Sequence, residues 1–178
     1  PPAPQAVLAG KLYVVDRQDA AQTYVTQFLP APPRQAPGYY AFLHADAVWG
    51  GGGFGTRLNL NLREDKGYSY GVFSTPVFYR QGGIWYSAGG VQTNKTKESV
   101  VEFDKELKGM TSKPISEAEF TDSRSRKTRG YAQGFETLGR ICQRIADTWT
   151  PGHTMTEVRK EYAWTAKTGT EEAPSAAH

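Results

Sequence analysis

The strongest constraint on the fold lies mid-chain, where two long runs rich in β-branched and aromatic residues sit almost back to back. Tyr68 to Tyr79 and Ile84 to Gln92 read as strands, and Gln81-Gly82-Gly83 between them is a hairpin connection. A two-stranded ribbon is marginal in water, so this hairpin needs further strands and an apolar cover. One more strand is read upstream at Gln22 to Leu29, ended by Pro30-Ala31-Pro32-Pro33, and another at Lys11 to Val15. Pro37 opens a mostly apolar segment, Gly38 to Trp49, long enough for a buried helix and closed by Gly50 to Gly53.

Helical patterns dominate after the hairpin. One helix is expected from Lys95 to Met110, with Val100, Phe103, Leu107 and Met110 on one stripe. Ser116-Glu117-Ala118-Glu119 is a capping box that starts a second helix through the basic run Arg124 to Arg129. A third covers Glu136 to Trp149 before Pro151-Gly152, and Met155 to Ala166 suggests a fourth. Strands followed by helices argue for an α+β fold in two layers, a mostly antiparallel mixed sheet with helices packed on one face. The 178 residues, 38% hydrophobic and 12% aromatic, suffice for one such domain. Its expected limits are 11–168, after a Pro-rich linker at 1–10 and before a polar, disordered tail at 169–178. Pro1, where a Met would stand, suggests an excised or processed fragment.

The segment Arg57-Leu58-Asn59-Leu60-Asn61-Leu62-Arg63 supports two readings. Its alternation favours a strand, while Phe54, Leu58 and Leu62 fall at i, i+4 and i+8 on a helix.

Most familiar chemistries find no footing. Gly50, Gly52 and Gly55 match G-x-G-x-x-G, but the segment before them reads as a helix, no βαβ unit surrounds them, and no P-loop lysine follows; a plain inter-helix turn explains them. A peptidase zinc site needs two histidines one helical turn apart plus a carboxylate. Only His44, His153 and His178 exist, in neither H-E-x-x-H nor H-x-x-E-H, and His44 reads as a packed helix residue. No G-x-S-x-G occurs. Cys142 cannot form a disulfide within the chain and, beside Arg140, Ile141 and Ile145, reads as a buried core thiol. The net charge of +3 comes from interspersed charges, and Arg124 to Arg129 reads as a solvated helix face, so nucleic acid is not expected as a partner. No apolar run approaches the ~20 residues of a membrane span.

What remains is Gly51-Gly52-Gly53-Phe54-Gly55-Thr56-Arg57-Leu58-Asn59-Leu60-Asn61-Leu62-Arg63-Glu64-Asp65-Lys66-Gly67-Tyr68-Ser69-Tyr70-Gly71. This stretch resembles the second-domain signature of the pitrilysin/insulysin family of zinc peptidases, which includes the mitochondrial processing peptidases. There a glycine-rich turn leads to S-S-R-L and then L-R-E-x-x-G-x-x-Y. The order of elements from about Lys11 to Trp149 agrees as well. The resemblance implies that Leu58 to Arg63 is helical. It also implies a clamshell of two halves, in which one half holds zinc through H-x-x-E-H and a distal Glu. The other half supplies an Arg and a Tyr, which map here to Arg63 and Tyr70.

On that reading the chain is a non-catalytic, substrate-binding second domain of the zinc-free half, inactive by itself. Zinc would sit in a partner half, in the same polypeptide or another, and peptide would be the substrate. Arg63 would close the helix, Gly67 would let the chain reverse, and Tyr70 would begin the next strand. A guanidinium and a phenol both donate to a peptide carbonyl. Facing the developing oxyanion, each would be worth roughly 2–4 kcal/mol in the transition state; holding a flanking carbonyl, they would position substrate. Without the motif, Arg63 is an ordinary helix-end cation and Tyr70 one more strand aromatic. The alternatives are a scaffold subunit of the same family with no peptidase role, and a standalone module that adds a peptide strand to its sheet edge. The C-terminal third departs from the family pattern, since no strand follows the last helix. The proline-rich entry and a pI near 9.0 suit the bacterial periplasm, with cytoplasm or mitochondrion as alternatives.

Overall fold

The computed structural model describes residues 19–79 and 82–149, together with 154, 156, 160 and 161. The expected strand at Lys11 to Val15, His153, His178 and the domain limits at 10/11 and 168/169 lie outside the described residues, as does most of the Met155 to Ala166 segment.

The hairpin forms as its sequence demands. Strands β2 (Ser69–Tyr79) and β3 (Gly82–Gln92) pair antiparallel, and β1 (Gln22–Ala31) pairs antiparallel along the other side of β3, giving the order β1-β3-β2. β3 is therefore central, which suits its Gly89 and Gly90: a Cβ at Gly89 would lie 2.5 Å from Val72 Cγ1. Helix α1 (Tyr39–Trp49) crosses one face of the sheet. α2 (Arg57–Asn59) then runs directly into a π-helical turn, Leu60–Asp65. After β3 come α3 (Thr96–Ser112), α4 (Glu117–Gln133) and α5 (Leu138–Trp149). The expected α+β architecture is the one observed.

Alternation along the strands gives each sheet face a distinct character. The inward positions Val25, Val72 and Trp85 pack with Trp49, Leu58, Leu62 and Phe103 from the helices. Trp49 and Trp85 have ring centroids 4.7 Å apart, and Phe42 and Phe78 extend the aromatic contact toward the hairpin end. The other face carries Tyr24, Phe28, Phe73 and Tyr79, all exposed, with Tyr86 between Phe28 and Phe73 at 5.7 and 6.0 Å.

The ambiguous segment is helical. Leu58 and Leu62 are fully buried one turn apart while Leu60 is half exposed, so the period is that of a helix and the alternation is incidental. Phe54 precedes the first helical residue and is not part of this stripe. Arg57 is buried and joins α2 to the α3–α4 connection. Its guanidinium grips Glu119 at 2.6 and 2.9 Å and donates to the carbonyls of Lys113 and Pro114, both at 3.0 Å. Glu119 also completes the expected capping box: its carboxylate accepts from Ser116 N, and Ser116 Oγ accepts from Glu119 N.

Three expectations need correction. Val100 is exposed; Ser99 is buried in its place, because α3 turns the row Ser99, Phe103, Leu107 and Met110 inward. Cys142 is exposed, because α5 turns Ile141, Arg144, Ile145 and Thr148 toward the protein at i, i+3, i+4 and i+7. Nor is Arg124 to Arg129 a uniformly solvated face: Arg126 is half-buried and ion-paired with Asp122 at 2.7 Å, and burial pulls the Lys127 ammonium down from the usual lysine range.

Candidate functional site

The site begins with how the chain turns from the π-helical segment into β2. The wide turn ends through Lys66 N donating to Asn61 O, and Tyr68 N donates to Leu62 O. Between them Gly67 takes φ +63°, the left-handed region that a side chain rarely adopts, and so reverses the chain. This carries Arg63, on the last turn, next to the first residues of β2.

Strand alternation alone would misplace Tyr70. Val72 and Ser74 face the core, so a regular strand would turn Tyr70 inward as well. Instead the pairing shifts between Ser69↔Val91 and Val72↔Gly89, so that Tyr70 and Gly71 together oppose Gly90. This is a β-bulge, and one extra residue re-aims the side chain. Ser69 closes it: its Oγ accepts from Gly71 N at 3.1 Å and donates to Gly90 O at 2.6 Å. Tyr70 emerges on the outer side, 80% exposed.

Arg63 and Tyr70 meet there. The guanidinium carbon lies 5.4 Å from the Tyr70 ring centroid and 4.1 Å from that of Phe54. The Phe54 and Tyr70 rings meet edge to face at 6.4 Å. Arg63 Nη1 donates to Glu64 Oε1 at 2.8 Å. Among the described residues no acceptor takes the other guanidinium nitrogens or the Tyr70 hydroxyl. The two groups from the motif thus share one exposed patch, each with donors open to solvent.

Behind the patch is a network that sequence reasoning did not single out. Asn59 is buried, and its side-chain amide pairs with the outer edge of β2 as a strand would: Nδ2 donates to Val72 O at 2.7 Å, and Oδ1 accepts from Val72 N at 2.9 Å. Its Nδ2 also reaches Gly53 O at 3.0 Å, and Thr56 Oγ1 donates to the same carbonyl at 3.0 Å. One amide therefore ties the glycine-rich loop to the strand beside the bulge. In L-N-L-N-L nothing separates Asn59 from Asn61, which instead serves Glu102 and Glu106 at 2.8 and 2.6 Å. Phe54 was equally hidden, read only as a possible member of an apolar stripe.

No three His, Cys, Asp or Glu side chains among the described residues converge to hold a metal ion. His44 is packed in the fold, with Nδ1 3.2 Å from Ser123 Oγ and its ring 4.9 Å from Phe120. Burial, aided by Lys127 and Arg124, lowers its pKa to about 4, so it is neutral near pH 7. Asp46 is also buried, accepting from Ser74 Oγ at 2.5 Å and Trp85 Nε1 at 2.7 Å; burial raises its pKa against the effect of both bonds. A cavity of about 390 Å³ between α1 and α4 is lined by His44, Arg126 and Lys127 but by neither Arg63 nor Tyr70. No helix among the described residues is long and apolar enough to cross a membrane.

Comparison with known proteins agrees with this architecture. Residues 1–127 match the family described as the peptidase M16 inactive domain. No curated protein matches the chain. A solved peptidase M16 inactive domain from Pseudomonas fluorescens has a similar fold, with a TM-score of 0.76 and 19% identity over 88% of this chain and 37% of that one. The inactive peptidase domain of a proposed zinc protease from Bordetella parapertussis has a TM-score of 0.74 and 17% identity over 92% and 88%. A periplasmic protease of Escherichia coli has a TM-score of 0.69 and 15% identity over 90% and 18%. At such identities these likenesses speak for the fold alone. The chain spans about 37% of the length of the Pseudomonas protein.

Proposed function

Because this chain belongs to the family of peptidase M16 inactive domains, we propose that it is the substrate-binding domain of a two-half zinc protease, with Arg63 and Tyr70 holding the peptide backbone beside zinc bound elsewhere. The observation that carries this reading is the shared patch itself. A guanidinium lies 5.4 Å from the ring of a phenol that is 80% exposed, and both have donors that meet no acceptor among the described residues.

Both side chains donate, and a peptide main chain offers carbonyl acceptors at every residue. As hydrogen-bond donors the pair supplies binding and charge stabilisation, while bond cleavage falls to the zinc half. That half would carry H-x-x-E-H, fused to this chain or as a separate subunit. The bacterial periplasm is the proposed location, by analogy with the Escherichia coli protease.

The test is kinetic and uses the complete protease. Arg63→Ala and Tyr70→Phe are expected to lower kcat/KM for peptides while zinc content stays at the wild-type level. A loss concentrated in kcat, on the order of 30- to 1,000-fold, means that the pair meets the oxyanion. A loss confined to KM means that it holds a flanking carbonyl. Wild-type turnover in both variants would remove the assignment.

A further inference from the structure

Phe54 is an anomaly of the glycine-rich loop: a large apolar ring, 54% exposed, outside the core stripe it first suggests. Its surroundings account for it. The Arg63 guanidinium lies over the ring face at 4.1 Å, closer than it lies to Tyr70. The Tyr70 ring meets it edge to face at 6.4 Å. Gly71 lets the ring come in close, since a Cβ there would stand 3.2 Å from Phe54 Cε1. The loop that carries the ring is fixed from behind, with Gly53 O bonded by both Asn59 and Thr56. The ring is therefore a platform of set position.

Arg63 needs such a platform. It is a long side chain at a helix end, and among the described residues its only charged partner is the exposed Glu64, at 2.8 Å on Nη1. Left to itself the guanidinium would exchange between that carboxylate and water. Stacking on an aromatic face restrains its plane while leaving its edge donors open.

We infer that Phe54 is a positioning residue that holds Arg63 over the patch, orienting its donors beside Tyr70. The inference rests on the peptide-binding reading above, and it assigns Phe54 no substrate contact of its own.

A double-mutant cycle in the complete protease tests it, with kcat/KM read for one peptide. Phe54→Leu keeps an apolar side chain but removes the π face; the expected loss is about 2- to 5-fold, the range of a partly exposed cation–π contact. Phe54→Tyr, which keeps the face, recovers the activity. In an Arg63→Ala background, Phe54→Leu adds no further loss, a result that a merely structural role would not give. The inference is overturned if Phe54→Leu is neutral, if it costs as much without Arg63 as with it, or if Phe54→Tyr fails as badly as Phe54→Leu. If Arg63→Ala itself turns over peptide normally, the peptide-binding reading falls and this inference with it. A defect in Arg63→Ala beside a neutral Phe54→Leu removes the role of Phe54 alone.

Discussion

Asn59→Ala is expected to cost far more than an average polar-to-alanine change. Asn59 pairs both with the N–H and with the C=O of Val72, at 2.9 and 2.7 Å, and Val72 is itself buried on the strand at the sheet edge. Alanine leaves both backbone groups without a partner in a site closed to water. Each orphaned group costs about 1–3 kcal/mol, so the total should reach about 3–4 kcal/mol. Gly53 O keeps its bond from Thr56 and adds little. Asn59→Asp sharpens the test, since it preserves shape but replaces the Nδ2 donor with an oxygen facing Val72 O. The ionised carboxyl is opposed by burial and by that carbonyl, so its folded-state pKa is raised above the unfolded value of about 4. This variant should be most stable below that unfolded pKa, where a protonated carboxyl can donate again, and should lose stability as pH rises through the folded-state pKa. Urea denaturation followed by tryptophan fluorescence suits the assay, because Trp49 and Trp85 pack together in the core that Val72 joins. A cost below about 1 kcal/mol for Asn59→Ala, or a flat pH profile for Asn59→Asp, would refute the reasoning.

Two further outcomes follow from buried and exposed groups. His44 has its pKa lowered to about 4 by burial, whereas the unfolded chain protonates near 6.5. The unfolded state thus binds the extra proton first, so this residue's contribution to stability should fall as pH drops from 6.5 toward 4. Thermal melts of His44→Gln across that range should show a shallower dependence than the wild type; an unchanged slope would contradict the assignment. Cys142, exposed on α5, should react stoichiometrically with a thiol reagent under native conditions. Protection until denaturation would restore the core-thiol reading.

The fold was most legible where local pattern and tertiary demand agree. Two strand-rich runs a few residues apart made the hairpin plain, although Gly82 and Gly83 pair within β3 instead of forming the connection, and the Ser116/Glu119 box marked the start of α4. Legibility failed where partners distant in sequence decide. Leu58, Leu60 and Leu62 are chemically alike; only the core formed by Trp49, Val72 and Phe103 selects the first and third. Cys142 reads as buried beside its apolar neighbours, and it is the rotation of α5 that turns it out. The site divides in the same way. The motif pointed to Arg63 and Tyr70, but the bulge that turns Tyr70 outward depends on pairing with Gly90 and on the Ser69 hydroxyl. No periodicity announces such a register shift. Asn59 and Phe54 were invisible for a related reason, since their partners Val72, Arg63 and Tyr70 come together only after the chain has reversed at Gly67.

The central claim is that Arg63 and Tyr70 hold bound main chain, and a structure of the complete protease with a peptide trapped in place tests it most directly. The account predicts Arg63 guanidinium nitrogens and the Tyr70 hydroxyl within about 3.2 Å of backbone carbonyl oxygens of the peptide. A peptide held by other residues, with both side chains facing empty solvent or sealed under a neighbouring domain, would contradict it.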